Sequence, residues 1–282
     1  MLISIKDLTH IYEQDPPVKA LDKINLDISR GEFIGLIGST GSGKSTLVQM
    51  FNGLIKPTHG QVLINDEDIT KNKKKLKGIR QNVGLVFQYP EHQLFEETIY
   101  KEIAFGPQNL DLKKDEIRVR VQEALQLVDM DFDSFKDRSP FNLSGGQQRK
   151  IALAGVLAMK PDVLILDEPF AGLDPEGRKQ LTALLKKLHQ EKEMTLILIS
   201  HRMEEIAYLT TRILVLKDGS IKLEGTPQEV FSKPEILKKM SLDIPQITEV
   251  LYRLQKKGLK VRTSFFNVSE AADEIVDKLR SS

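Results

Sequence analysis

Residues 38–46 read GSTGSGKST, and this stretch limits the fold more than any other. The spacing G-x-x-x-x-G-K-S/T describes a phosphate-binding loop when a buried strand precedes it and a helix follows. EFIGLIG (32–38) is apolar on both faces, as a strand inside a parallel sheet must be. Thr46 to Leu54 has helical character and stops near Lys56-Pro57, where proline ends a helix. Gly38, Gly41 and Gly43 let backbone N–H groups curl around phosphate oxygens without a Cβ clash, and Ser39, Thr40, Ser42 and Thr46 complete the cradle. Lys44 brings a full charge to the β- and γ-phosphates, the helix start adds a partial one, and Ser45 offers Mg²⁺ a hydroxyl.

Strands and helices alternate around this nucleus. LISIKDL, NLDI, QVLI, VGLVF, VLIL and TLILIS read as strands. From Glu97 to about Val128 the pattern turns helical, with Ile117, Val121, Ala124, Leu125 and Val128 on one face. Asp174-Pro175 and Thr226-Pro227 open helices, because Asp and Thr cap and proline fits the first turn. ILVLKDGSIKLEG has the Asp-Gly turn of a hairpin. The alternation implies an α/β domain with a largely parallel core sheet. From about Lys233 the text holds only amphipathic helix patterns, so a main domain (1–232) and a small C-terminal extension (233–282) are expected. The lysine run KNKKKLK (71–77) is read as a solvated loop.

Several functions are disfavoured. The formal charge of +1 lacks the basic excess of a dedicated nucleic-acid binder, and with no cysteine there is no disulfide or thiolate chemistry. The longest apolar run, Ile151 to Met159, is far shorter than the roughly twenty residues needed to cross a bilayer. The N-terminus lacks the pattern of a signal peptide.

The chemistry gathers at strand ends. VLILDE (163–168) delivers Asp167 at the carboxyl end of an apolar strand, where open α/β sheets bind ligands, and Asp167 suits the Mg²⁺ shell. Glu168 is the candidate general base toward an attacking water. Gln88 after VGLVF and His201 after TLILIS sit at the carboxyl ends of expected sheet strands, which brings them toward the same edge. A second anion site lies about a hundred residues past the first. In NLSGGQQRK, Ser144 caps a helix whose free N–H groups stand beside Gly145 and Gly146. Such a helix end contributes roughly 0.3–1 kcal/mol when exposed and up to about 2 when partly buried, enough for one jaw of a clamp but not for holding a nucleotide alone. Because the phosphate loop has its own helix end, the second jaw fits a nucleotide held by another chain.

Phosphate loop, Gln88, LSGGQ (143–147), VLILDE, AGLD and His201, in this order, resemble the nucleotide-binding subunit of ATP-binding cassette (ABC) proteins over about residues 1–232. The resemblance implies a P-loop NTPase fold: a RecA-like core, an N-terminal antiparallel β subdomain and a helical signature subdomain at about 89–150. It also implies two cassettes head to tail, with two ATP molecules between them. By position, Tyr12 would stack on adenine, and Gln88 would sense Mg²⁺ and the attacking water. Leu143, Ser144, Gly145, Gly146 and Gln147 would face the partner's ATP, Asp174 would communicate across the interface, and His201 would contact the γ-phosphate.

FQYPEHQLFEETIYKEIAFGPQN, GVLAMKPDVLILDEPFAGLDP and the C-terminal extension are similar to ATPases of energy-coupling factor (ECF) transporters, more to the second, cobalt-import-like member of each pair. Phe170 departs from the commoner threonine, and Gln148 and Lys150 depart mildly. The expected protein is an ATP- and Mg²⁺-dependent motor subunit, peripheral on the cytoplasmic face of the cell membrane. Its expected partners are a second related ATPase (or an identical copy), a transmembrane energy-coupling subunit and a substrate-specific membrane subunit, with no nucleic acid. Glu91, Glu96 and Glu97 are candidates for receiving basic coupling helices. The same motifs also fit the ATPase of another importer, or a non-transport cassette whose nucleotide gates assembly.

Overall fold

A computed structural model describes residues 1–71 and 76–280. The strands are β1 (Ile3–Tyr12), β2 (Val18–Ile28), β3 (Phe33–Gly38), β4 (His59–Ile64), β5 (Glu67–Asp68), β6 (Val83–Val86), β7 (Val163–Asp167), β8 (Thr195–Ile199), β9 (Arg212–Lys217) and β10 (Ser220–Gly225). They form two sheets. One is antiparallel in the order β2-β1-β4-β5; the other runs β10-β9-β3-β8-β7-β6. In the second sheet every pairing from β9 to β6 is parallel, and only the edge strand β10 is antiparallel.

The middles of β3, β6, β7, β8 and β9 are apolar because both faces are buried, and successive residues serve different layers. In β7, Leu164 and Leu166 pack toward the helices, while Val163 and Ile165 pack toward the antiparallel sheet; β8 repeats this with Leu196 and Leu198 against Ile197 and Ile199. The large parallel sheet therefore divides two hydrophobic cores. The helical-side core includes the inner faces of the helices Ile99–Gln108, Lys114–Leu127 and Gly145–Leu157.

Local chemistry sets the boundaries. The helix after the phosphate loop ends at Phe51, several residues before Pro57, with Asn52 at the C-cap and Gly53 at a positive φ of 68°. The helical text of 97–128 is two helices, broken between Gln108 and Lys114. Asp218 (φ 49°) and Gly219 (φ 72°) make the β9–β10 turn as the Asp-Gly pair predicts. Of the lysine run, 72–75 lie outside the described residues; Lys71 pairs with Asp68 and Lys77 with Asp111.

Beyond Lys233, Leu237, Leu242 and Ile244 still pack into the main core. A separate small core of Leu251, Val261 and Ala271 begins with the helix Gln246–Lys256 and is closed by the helix Val268–Arg280. No helix among the described residues is long and apolar enough to cross a membrane.

Candidate nucleotide site

The phosphate loop joins β3 to the helix Lys44–Phe51. Gly43 caps that helix at φ 104°, and a Cβ there would stand 2.5 Å from the Ala20 carbonyl oxygen, so this turn needs glycine. Lys44 is buried; its Nζ donates to the carbonyls of Gly38 (2.7 Å) and Ser39 (3.0 Å). Burial lowers its pKa, while Glu168 and Asp167 draw it back up. Tyr12, at the end of β1, comes within 3.1 Å of the Thr46 hydroxyl, which sets its half-exposed ring beside the loop.

Parallel register brings the other groups to the same edge. Leu166 pairs with Val86 on one side and Leu198 on the other, so the segments after β6, β7 and β8 emerge together. Gln88 is exposed on the first of these. Asp167 ends β7 and its Oδ2 accepts from the Ser45 hydroxyl at 3.3 Å; burial raises its carboxyl, against the Ser45 hydrogen bond and the Lys44 charge. Glu168 follows with a positive φ of 49°, a conformation unusual for a residue with a side chain and one that gathers at functional sites.

Burial, reinforced by the Asp167 charge, pushes Glu168 to about 7, while the His201 backbone N–H and Lys44 oppose the rise. A carboxylate tuned near neutrality suits a proton acceptor. Its Oε1 is buried without a hydrogen-bond partner among the described residues, and His201 Nε2 stands 3.6 Å away, just beyond bonding reach. His201 is lowered by burial and then by Lys44, which favours the neutral imidazole.

The residues expected to form a second anion site stand apart, at the start of the signature helix, Gly145–Leu157. Ser144 caps it: the Gln147 N–H donates to Ser144 Oγ at 3.4 Å, and the Ser144 N–H donates to the Gln147 side-chain oxygen at 3.1 Å. The Gln147 amide therefore turns back onto its own cap. Gly145 and Gly146 are exposed, and a Cβ on either would meet nothing within 4 Å. No packing among the described residues requires these glycines. Asp174 caps the helix Pro175–Lys192, accepting from the Gly177 N–H at 2.7 Å. Phe170 is buried in the main core, so the unusual residue is absorbed by packing.

One expectation is redistributed by the fold. Glu91 is not free for an outside partner, because Arg149 of the signature helix grips it with Nε at 3.1 Å and Nη2 at 2.8 Å, both side chains largely buried. Arg149 Nη1 also donates to the Ala171 carbonyl at 2.7 Å, tying together the Gln88 segment, the signature helix and the loop before Asp174. Glu96 is half-buried, and Glu97 is exposed beside Lys101. Sequence reading missed Arg149, since its partner lies 58 positions away. Arg149→Ala should leave the carboxylate stranded and cost about 2–3 kcal/mol, read by urea unfolding. A loss below about 0.5 kcal/mol would be that of an ordinary surface pair.

An orphaned carboxylate oxygen beside a phosphate cradle suits a P-loop nucleoside triphosphatase, and the LSGGQ segment at the start of the signature helix fits the ATP-binding cassettes within that class. Relatives lead to the same class. The family described as ABC transporter matches residues 21–171. The energy-coupling factor transporter ATP-binding protein EcfA2 of Clostridium tetani is 51% identical over 98% of this chain and 96% of its own. That of Clostridioides difficile is also 51% identical, over 99% and 98%. Among solved structures, cbiO1 of Clostridium perfringens, part of the ABC transporter complex cbiONQ, superposes with a TM-score of 0.74 at 38% identity, covering 89% of this chain and 98% of that one. The cassette MJ0796, a dimer bound to ADP and Pi, gives 0.71 at 31% identity over 80% and 98%. The chain belongs to the ABC transporter family, and it is an ATP-binding, ATP-hydrolysing subunit.

Proposed function

We propose that this chain is the motor ATPase of an energy-coupling factor importer, working on the cytoplasmic face of the membrane as one half of a heterodimer with a related ATPase. The observation that carries the dimeric reading is the glycine pair at the signature helix, exposed and unneeded by the chain's own packing. The full-length similarity to energy-coupling factor ATPases supports the importer. ATP held by Lys44 and the loop of one protomer would be closed over by Ser144 and Gly146 of the other. Glu168 would take the proton of the attacking water, with Gln88 and His201 at its sides.

Mg²⁺ fits the donors: Ser45 and Asp167 set hard oxygens together at the loop, the ligand class this cation prefers. When bound it neutralises charge on the phosphates. Mild-detergent isolation of the tagged chain from native membranes should recover a second ATPase and two kinds of integral membrane protein. Recovery of an identical copy with another importer's membrane domains would replace this reading.

The coupling surface is narrowed to Glu96 and Glu97, beside the exposed, edge-to-face pair Phe95 and Phe105 (ring centroids 5.0 Å apart). Acidic groups flanking exposed aromatics suit an amphipathic basic helix. Charge reversal at both glutamates should cut transport at least about tenfold while ATP-driven dimerisation persists. Unchanged transport would retire the assignment.

A further inference from the structure

The turn that carries His201 is built on a largely buried glutamate outside the recognised motifs. Ser200 is 2% exposed. Its Oγ accepts the Arg202 N–H at 3.1 Å and donates to Glu205 Oε2 at 3.2 Å, while Glu205 Oε1 receives Arg202 Nε at 2.7 Å. His201 is the middle residue of this closed turn.

Glu205 is the third residue of the helix Met203–Leu209, where a glutamate ordinarily reaches back to the N-cap N–H. Here the N-cap is Arg202, no side chain caps it, and its N–H is already given to Ser200. The carboxylate therefore holds the turn. Burial raises its pKa, against Arg202, Ser200 and then Arg178. Arg178 comes from the helix that Asp174 caps, and its Nε is buried with no hydrogen-bond partner among the described residues. So the helix behind Asp174 presents a charge to the glutamate that anchors the His201 turn.

We propose that Glu205 is a positioning residue for ATP hydrolysis, clamping Ser200 and Arg202 so that the imidazole and backbone N–H of His201 stay aimed at Glu168. This rests on the roles given above to His201 and Glu168. Misplacing a reacting group by about 1 Å costs on the order of a hundredfold in rate. A loosened turn leaves the phosphate loop, and hence ATP binding, untouched.

The test measures phosphate release against ATP concentration in the assembled transporter. Glu205→Ala should lower kcat about 10- to 100-fold with KM for ATP changed less than about threefold. Ser200→Ala should do the same, and the double variant should be no worse than the poorer single, because both act through one turn. Glu205→Gln, which keeps an acceptor oxygen, should recover most of the rate. Wild-type kcat in Glu205→Ala, a loss appearing only in KM, or losses that multiply would each overturn the proposal. His201→Ala belongs in the series: if it hydrolyses ATP normally, the role of His201 fails and the inference goes with it. If His201→Ala is inactive while Glu205→Ala is normal, only Glu205 is misassigned. Should Glu205→Ala not fold, Ser200→Ala and Glu205→Gln decide by the same criteria.

Discussion

Glu168→Gln is expected to bind ATP, lose about two to four orders of magnitude in turnover and accumulate as a closed dimer. General-base catalysis contributes roughly 10²–10⁴-fold, and this carboxylate is the one placed for it. Its pKa is held near 7, and its Oε1 is buried yet unbonded, a free acceptor beside the phosphate cradle. Glutamine keeps the shape and most of the packing but cannot take a proton. Ser45, Asp167 and Lys44 remain, so ATP should still be held. Steady-state phosphate release, with size-exclusion chromatography in the presence of ATP, reads both effects. Turnover within about threefold of wild type would move the base elsewhere.

Gly146→Asp should separate what the chain needs from what its partner's nucleotide needs. The position is exposed, helical and surrounded by open space, so the isolated chain should keep its melting temperature within a few degrees. Gly146→Ala should even stabilise it by about 0.5–1 kcal/mol, since glycine inside a helix is the costlier residue. In the assembled pair, a carboxylate aimed at a partner's γ-phosphate is a like-charge contact at the point where closure must occur. ATP-driven dimerisation should vanish and turnover fall at least about a hundredfold. If Gly146→Asp unfolds the isolated chain, the glycine serves folding. If it hydrolyses ATP normally, the trans-acting jaw is wrong.

Most of the catalytic edge was legible because its parts are local. GSTGSGKST folds as it does since Gly43 must adopt φ 104° against the Ala20 carbonyl, and that requirement is written in the residue itself. VLIL and the central LILI of TLILIS are apolar at every position because both faces are buried, which marks them as core strands before any pairing is known. Helix starts at Asp174, Thr226 and Ser144 were equally local, since each side chain bonds an N–H three residues on.

The acidic segment shows where local reading ends. Glu91, Glu96 and Glu97 look alike in the sequence, but a guanidinium brought from the signature helix claims the first, while Glu96 is half-buried and Glu97 is exposed beside Lys101. Glu205 is similar. It stands four residues beyond His201 in a helix start, where a plain cap is the natural expectation, and its role depends on a serine hydroxyl turned toward it.

The chain's own text determined the phosphate loop, the carboxylate strand and the largely parallel core sheet, because glycine geometry, capping and unbroken apolar runs act over a few residues. Only the tertiary structure decided which charges remain available and which are spent inside. Pairing depends on distances between segments far apart along the chain, and burial makes each unpaired charge costly enough to fix the answer.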